Sequence, residues 1–175
     1  MRKIILTYGL IAGVVVWVVI LGCIPLWNRG ILNFDKSEIV GYTTIVIALS
    51  MVFFGIKSCR DYYFGGSISF LQGVKIGLII TLIASVMYAL AWEVSYILMP
   101  DFSDRMWEHF ADKAKKEAQN EAELKAAVQQ LETWKEWYKN PLLRFGMTLM
   151  EIFPIGILIT LVSAAILRKK QVLPA

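Results

Sequence analysis

Five polar side chains interrupt two of the oiliest stretches of this chain: Glu93 and Tyr96 in one, and Arg144, Thr148 and Glu151 in the other. Tyr96 follows Glu93 by three residues, and Thr148 precedes Glu151 by three. Arg144 precedes Glu151 by seven, about two helical turns, so in a helix the two share a face. A charged side chain at the centre of a bilayer costs about 2.5–3.5 kcal/mol on insertion scales. Such residues therefore turn toward a bundle interior and find partners. Two chemistries fit this set. The first is a structural clasp, in which the acids hydrogen-bond Arg144, Tyr96 or Thr148 and lock two helices together. The second is a site that binds a proton or a cation. Glu93 lies six residues inside the end of its apolar run, about 9 Å, and Glu151 nine residues inside the start of its own, about 13 Å. The five are thus expected at similar depth, around a polar pocket opening on one side of the membrane. The remaining half of the last apolar run offers only Thr160 and Ser163. With no polar path continuing through, the clasp is the favoured reading.

The elements that must carry these residues follow from composition. The 175 residues are 57% hydrophobic and only 18% charged, against about 45–50% and about 25% in average soluble domains. Four apolar runs stand out, at 4–24, 39–56, 74–99 and 142–167. Each approaches or exceeds the roughly 20 residues that span a bilayer as a helix. Lipid offers backbone groups no hydrogen-bond partners, which requires helices here, and no strand-like alternation points to a barrel. The fold class expected is all-α, one integral membrane domain over 1–175, built as a four-helix transmembrane bundle. Arg2 and Lys3 flank the first run, Lys57, Arg60 and Lys75 the middle connection, and Arg168, Lys169 and Lys170 the last run. By the excess of positive charge on the cytoplasmic side, both termini and the middle loop are expected inside. The segment 101–140 is then extracytoplasmic. Cys23 and Cys59 end up about 30 Å apart, on opposite faces, too far to form a disulfide within one chain. A competing reading takes "MRK", the first apolar run and "ILGC" at 20–23 as a lipoprotein signal, with a lipid on Cys23 and three spans left. The run exceeds the 7–15 residues of a signal core, so four spans are expected.

The connections have their own signals. Ser69 with Gln72 has capping-box spacing, and Gly65-Gly66 before it reads as a turn. Tyr62, Tyr63, Phe64 and Phe70 are expected as an interfacial aromatic belt. Asn140-Pro141 reads as the N-cap and first residue of the last helix. Nine of the 14 acidic and seven of the 18 basic residues lie between Asp101 and Lys139. This polar segment favours helix, and Asn120 with Glu123 marks a second start. A helical hairpin broken near Asn120 is expected, with an apolar stripe of Leu124, Val128 and Leu131 and a cluster of Met106, Trp107 and Phe110. The stripe is too short for sustained heptads, so the hairpin is expected to cover or stand above the bundle rather than form a coiled coil.

The chemistry excluded is equally plain. His109 is the lone histidine. It reads as a solvated residue of the hairpin, far from either cysteine. One His and two separated Cys cannot form a zinc site. No phosphate-cradling glycine loop or nucleophile elbow occurs. No enzyme activity, cofactor or metal is expected, and a net charge of +4 is too small and scattered for nucleic acid. The expected partners are the lipid bilayer and either a protein partner or a second copy of the chain.

"VFFGIKSCRDYYFGGSISFLQGVKIGLIITLIAS" (52–85) and "YKNPLLRFGMTLMEIFPIGILITLVSAAILRKK" (138–170) resemble the domain of unknown function 4199 family, most specifically in "GGSISF" and "EIFPIG". The resemblance implies a bacterial, multi-pass membrane protein with four spans. It implies no activity. Two functions remain open: a non-catalytic scaffold or partner-binding protein, and a small oligomeric proton-coupled transporter using Glu93 and Glu151.

Overall fold

The computed structural model describes residues 1–169. Lys170, counted above with the basic tail, lies outside the described residues. Six helices follow one another: α1 (Arg2–Asn28), α2 (Phe34–Tyr63), α3 (Phe70–Leu98), α4 (Pro100–Glu117), α5 (Glu121–Lys139) and α6 (Pro141–Leu167). Of these, α1, α2, α3 and α6 contain stretches long and apolar enough to cross a membrane. Each of these four helices starts ahead of the apolar run that announced it, because capping rather than hydropathy decides where a helix starts. Asn33 Oδ1 accepts from the Lys36 amide at 2.9 Å and starts α2 ahead of its apolar run. Ser69 and Gln72 form a full capping box on α3. Asn140 Oδ1 accepts from the Leu142 amide, with Pro141 at the first helical position of α6. Gly65 and Gly66 take φ of +58° and +82°, left-handed values that glycine adopts without a Cβ penalty.

In the bundle, α2 and α3 form the short diagonal, and α1 and α6 each pack against both. The buried core includes Val16, Leu49, Val52, Ile56, Ile80 and Ile152. Between α3 and α6 the backbones nearly touch. A Cβ on Gly77 would lie 2.6 Å from Thr160 Cγ2, and one on Gly156 would lie 2.2 Å from Thr81 Cγ2. The Thr81 and Thr160 hydroxyls hydrogen-bond across this seam at 3.1 Å. Gly9 and Gly13 bring α1 equally close to Ile83 and Met87 of α3. This small-residue packing is how helices associate where lipid removes the hydrophobic drive between them. Outward faces stay greasy: Leu6, Leu10, Val14 and Val18 of α1 and Leu158, Val162 and Ile166 of α6 are exposed. Continuous apolar faces of that length suit hydrocarbon rather than water.

The polar segment folds as two helices. Their break falls at Asn120, whose Oδ1 accepts from the Glu123 amide at 2.8 Å while Glu123 Oε2 accepts from the Gln119 amide at 3.0 Å. Met106 and Trp107 of α4 are buried, whereas α5 fully buries no residue and half-covers the stripe of Leu124, Val128 and Leu131 together with Ala127 and Tyr138. α4 therefore lies against the bundle end and α5 lies over α4. We expect Asn120→Ala to cost about 1 kcal/mol, confined to the start of α5. Hydrogen exchange should quicken at residues 121–124 while exchange within the seam between α3 and α6 stays unchanged.

One expectation is corrected here. His109 is not a freely solvated side chain. It is half-buried and stacks on Phe34 of α2, with centroids 4.9 Å apart and planes 21° apart. The reason is tertiary: Phe102, one turn or more earlier on α4, sits in an aromatic cluster with Trp27, Phe34 and Trp92, and this places the next turns of α4 over α2.

Candidate functional site

Arg144 enters the bundle from the first turn of α6. Helical side chains lean toward the N-terminus, so its guanidinium reaches back to the base of the hairpin. There Nε donates to Glu93 Oε1 at 2.9 Å, Nη2 to Glu93 Oε2 at 2.5 Å, and Nη1 to the Tyr138 carbonyl at 2.9 Å. The guanidinium carbon lies 3.7 Å from the Tyr96 ring centroid, a cation–π contact. Arg144 is only 4% exposed. One side chain thus joins α3, the end of α5 and the start of α6. The two-pronged geometry is specific to arginine and could not be reproduced by lysine. Around it, the Tyr96 hydroxyl donates to Ser103 Oγ, and Trp92 Nε1 donates to the Tyr138 hydroxyl. Burial pushes the Tyr138 phenol up to about 12, so it stays neutral.

Of the five residues singled out above, the structure brings Glu93, Tyr96 and Arg144 into direct contact. Thr148 is buried but turns back on its own helix, donating to the Arg144 carbonyl at 2.9 Å. Glu151 stands apart. It makes no hydrogen bond or ion pair among the described residues, and it lies on an exposed face of α6. The residues of α6 that pack inward run Arg144, Thr148, Ile152, Gly156, Thr160 and Ala164 in steps of four, with Ser163 and Leu167 joining them near the C-terminal end. A step of four turns through 400°, so the stripe drifts around the helix, and by the second turn it has moved to Ile152. Glu151, one residue back, points about 100° away from it. Pro154 does not break α6, which continues to Leu167.

Glu151 instead faces a cavity of about 720 Å³ at the hairpin end of the bundle. α1 contributes Cys23 and Trp27 to its walls, α2 contributes Phe34, Gly41 and Thr44, and α3 contributes Tyr88, Trp92 and Ser95. α4 covers it with Phe102, Met106, Trp107 and His109, and Tyr138 and Glu151 complete it. Cys23 and His109, expected far apart, line the same space. Sequence reasoning missed this cavity. Its signal was present in part: Trp27, Phe34, Trp92 and Phe102 are aromatic residues at the matching ends of three helices and the start of a fourth.

Residues 7–169 match the family described as Protein of unknown function (DUF4199). The chain belongs to this family. No curated protein and no solved structure matches it. In this DUF4199 chain all five candidate residues lie within the matched span, Glu93 and Tyr96 near the C-terminal end of α3 and Arg144, Thr148 and Glu151 on α6. No group of three His, Cys, Asp or Glu side chains able to hold a metal comes together among the described residues of this DUF4199 chain. What the arrangement can do chemically divides in two. The Glu93–Arg144 pair is committed to the fold through its two-pronged bonds. Glu151 retains its own for something that enters the cavity.

Proposed function

We propose that this protein is a multi-pass protein of the bacterial cytoplasmic membrane, with both ends of the bundle chain inside, and that it works without catalysis by presenting the α4–α5 hairpin to a protein partner on the outer side. The observation that carries this reading is the bidentate Glu93–Arg144 pair with its third bond to the Tyr138 carbonyl. It ties together the two helices from which the hairpin departs, so the hairpin has a fixed base. α5 buries no residue and leaves Lys125, Gln129 and Glu132 exposed, a surface free for a partner.

Photocrosslinkers placed at Lys125 and Gln129 in native membranes should capture one abundant partner, either a different protein or a second copy of this chain. Crosslinkers at lipid-facing Val162 should capture neither. Failure of every hairpin position to give an adduct would remove the reading. A C-terminal reporter fusion that is active only outside the cell would overturn the orientation.

Proton-coupled transport is the second reading, and the unpartnered carboxylate of Glu151 in its cavity favours it. Arg144 holds both oxygens of Glu93, which supports giving the proton-carrying role in that reading to Glu151. The close approach of α3 and α6 at Gly77 and Gly156 leaves little room for a path onward. In proteoliposomes, a pH-gradient-driven flux lost in Glu151→Gln would favour transport over partner binding.

A further inference from the structure

We propose that the cavity at the hairpin end binds a hydrophobic organic cation, held by the Glu151 carboxylate and by the aromatic rings of its walls. This goes beyond the partner reading and shares with it only the membrane placement, so either can fail without the other. Size comes first. A cavity of about 720 Å³ falls within the roughly 300–1,000 Å³ typical of small-molecule sites. Its lining is dominated by apolar and aromatic side chains, with a few polar groups, the usual composition of such sites.

Charge decides the class of ligand. Among the described residues that line the cavity there is no Lys or Arg, and Glu151 is the one carboxylate. Arg144, two helical turns before Glu151 on α6, is already bonded on all three nitrogens. An anion entering the cavity would meet a carboxylate with nothing to offset it. A neutral apolar molecule would leave that carboxylate without a partner in a low-dielectric space, which is costly. A cation with an apolar body answers both demands. Its charge pairs with Glu151, and the faces of Tyr88, Trp92 and Tyr138 attract it through their ring quadrupoles. The cavity also has room that a single residue can remove. A Cβ on Gly41, which lines it, would meet no atom within 4 Å.

The test uses the full chain in lipid nanodiscs and two probes of one shape and opposite sign, tetraphenylphosphonium and tetraphenylborate, titrated by calorimetry against empty nanodiscs. The phosphonium should bind saturably at one site per chain, and the borate should only partition into lipid. Glu151→Gln should weaken phosphonium binding at least tenfold. Gly41→Phe, which fills the cavity and replaces a poor helix former, should do the same. Equal saturable binding of the borate, or wild-type phosphonium affinity in either folded variant, would overturn the proposal. Should Glu151→Gln fail to fold, Gly41→Phe and the borate arm decide.

Discussion

Arg144→Met will destabilise the bundle by about 3–5 kcal/mol, the cost of breaking a buried ion pair from one side. The loss has three parts, all visible around the guanidinium. Both Glu93 oxygens lose their donors, in a medium where a lone charge finds no water. The Tyr138 carbonyl loses a donor at the junction of α5 and α6. Tyr96 loses the cation that its ring covers. The double variant Arg144→Met, Glu93→Met should recover most of the stability, since apolar replacement of both members of a buried pair is often neutral or better. The coupling between the two sites would then greatly exceed the few tenths of a kcal/mol seen for independent positions. Unfolding in mixed micelles of mild and denaturing detergent measures all three. An Arg144→Met midpoint equal to wild type would show that the pair holds nothing together.

Gly156→Val should be as damaging, by a different route. The new Cβ would lie 2.2 Å from Thr81 Cγ2 and 3.3 Å from Thr81 Cβ. Turning Thr81 about χ1 would relieve the first contact but not the second, and the two further methyls of valine crowd the seam, so α3 and α6 are pushed apart. Overpacking costs about 1–3 kcal/mol and occasionally more, and separation also breaks the Thr81–Thr160 hydrogen bond. Gly146→Ala on the same helix is the control. Nothing lies within 4 Å of its Cβ, so it should gain up to about 1 kcal/mol from helix propensity alone. The same micelle titration should move the two variants in opposite directions. Equal shifts would mean that the seam is not where α3 and α6 meet.

The fold was legible because lipid simplifies the code. Four apolar runs become four helices, and Ser69, Asn120 and Asn140 cap helices where their spacing had placed starts. That an acid of this set would clasp Arg144 was legible from the depth of the two carboxylates and the face that Arg144 shares with Glu151. Which of two acids would take the arginine was not, since that depends on the inward stripe of α6 stepping by four rather than returning every seven residues. Seven residues also separate Arg144 from Glu151 by about 10 Å along the axis, while the arginine side chain leans the other way, toward Glu93. The stacking of His109 on Phe34 and the cavity beneath it arise from the pose of α4, which no local pattern encodes.

The packing of the bundle is lopsided along its length. Towards the far end, glycines and threonines interlock α3 with α6, and near the hairpin a chamber separates α2 from its neighbours. A bundle locked along one seam and hollow beside the hairpin does not yield evenly to squeezing. Lateral tension or a change in lipid thickness should move the walls beside the hairpin first, where they can close on empty space, and the α3–α6 seam at Gly73, Gly77 and Gly156 last.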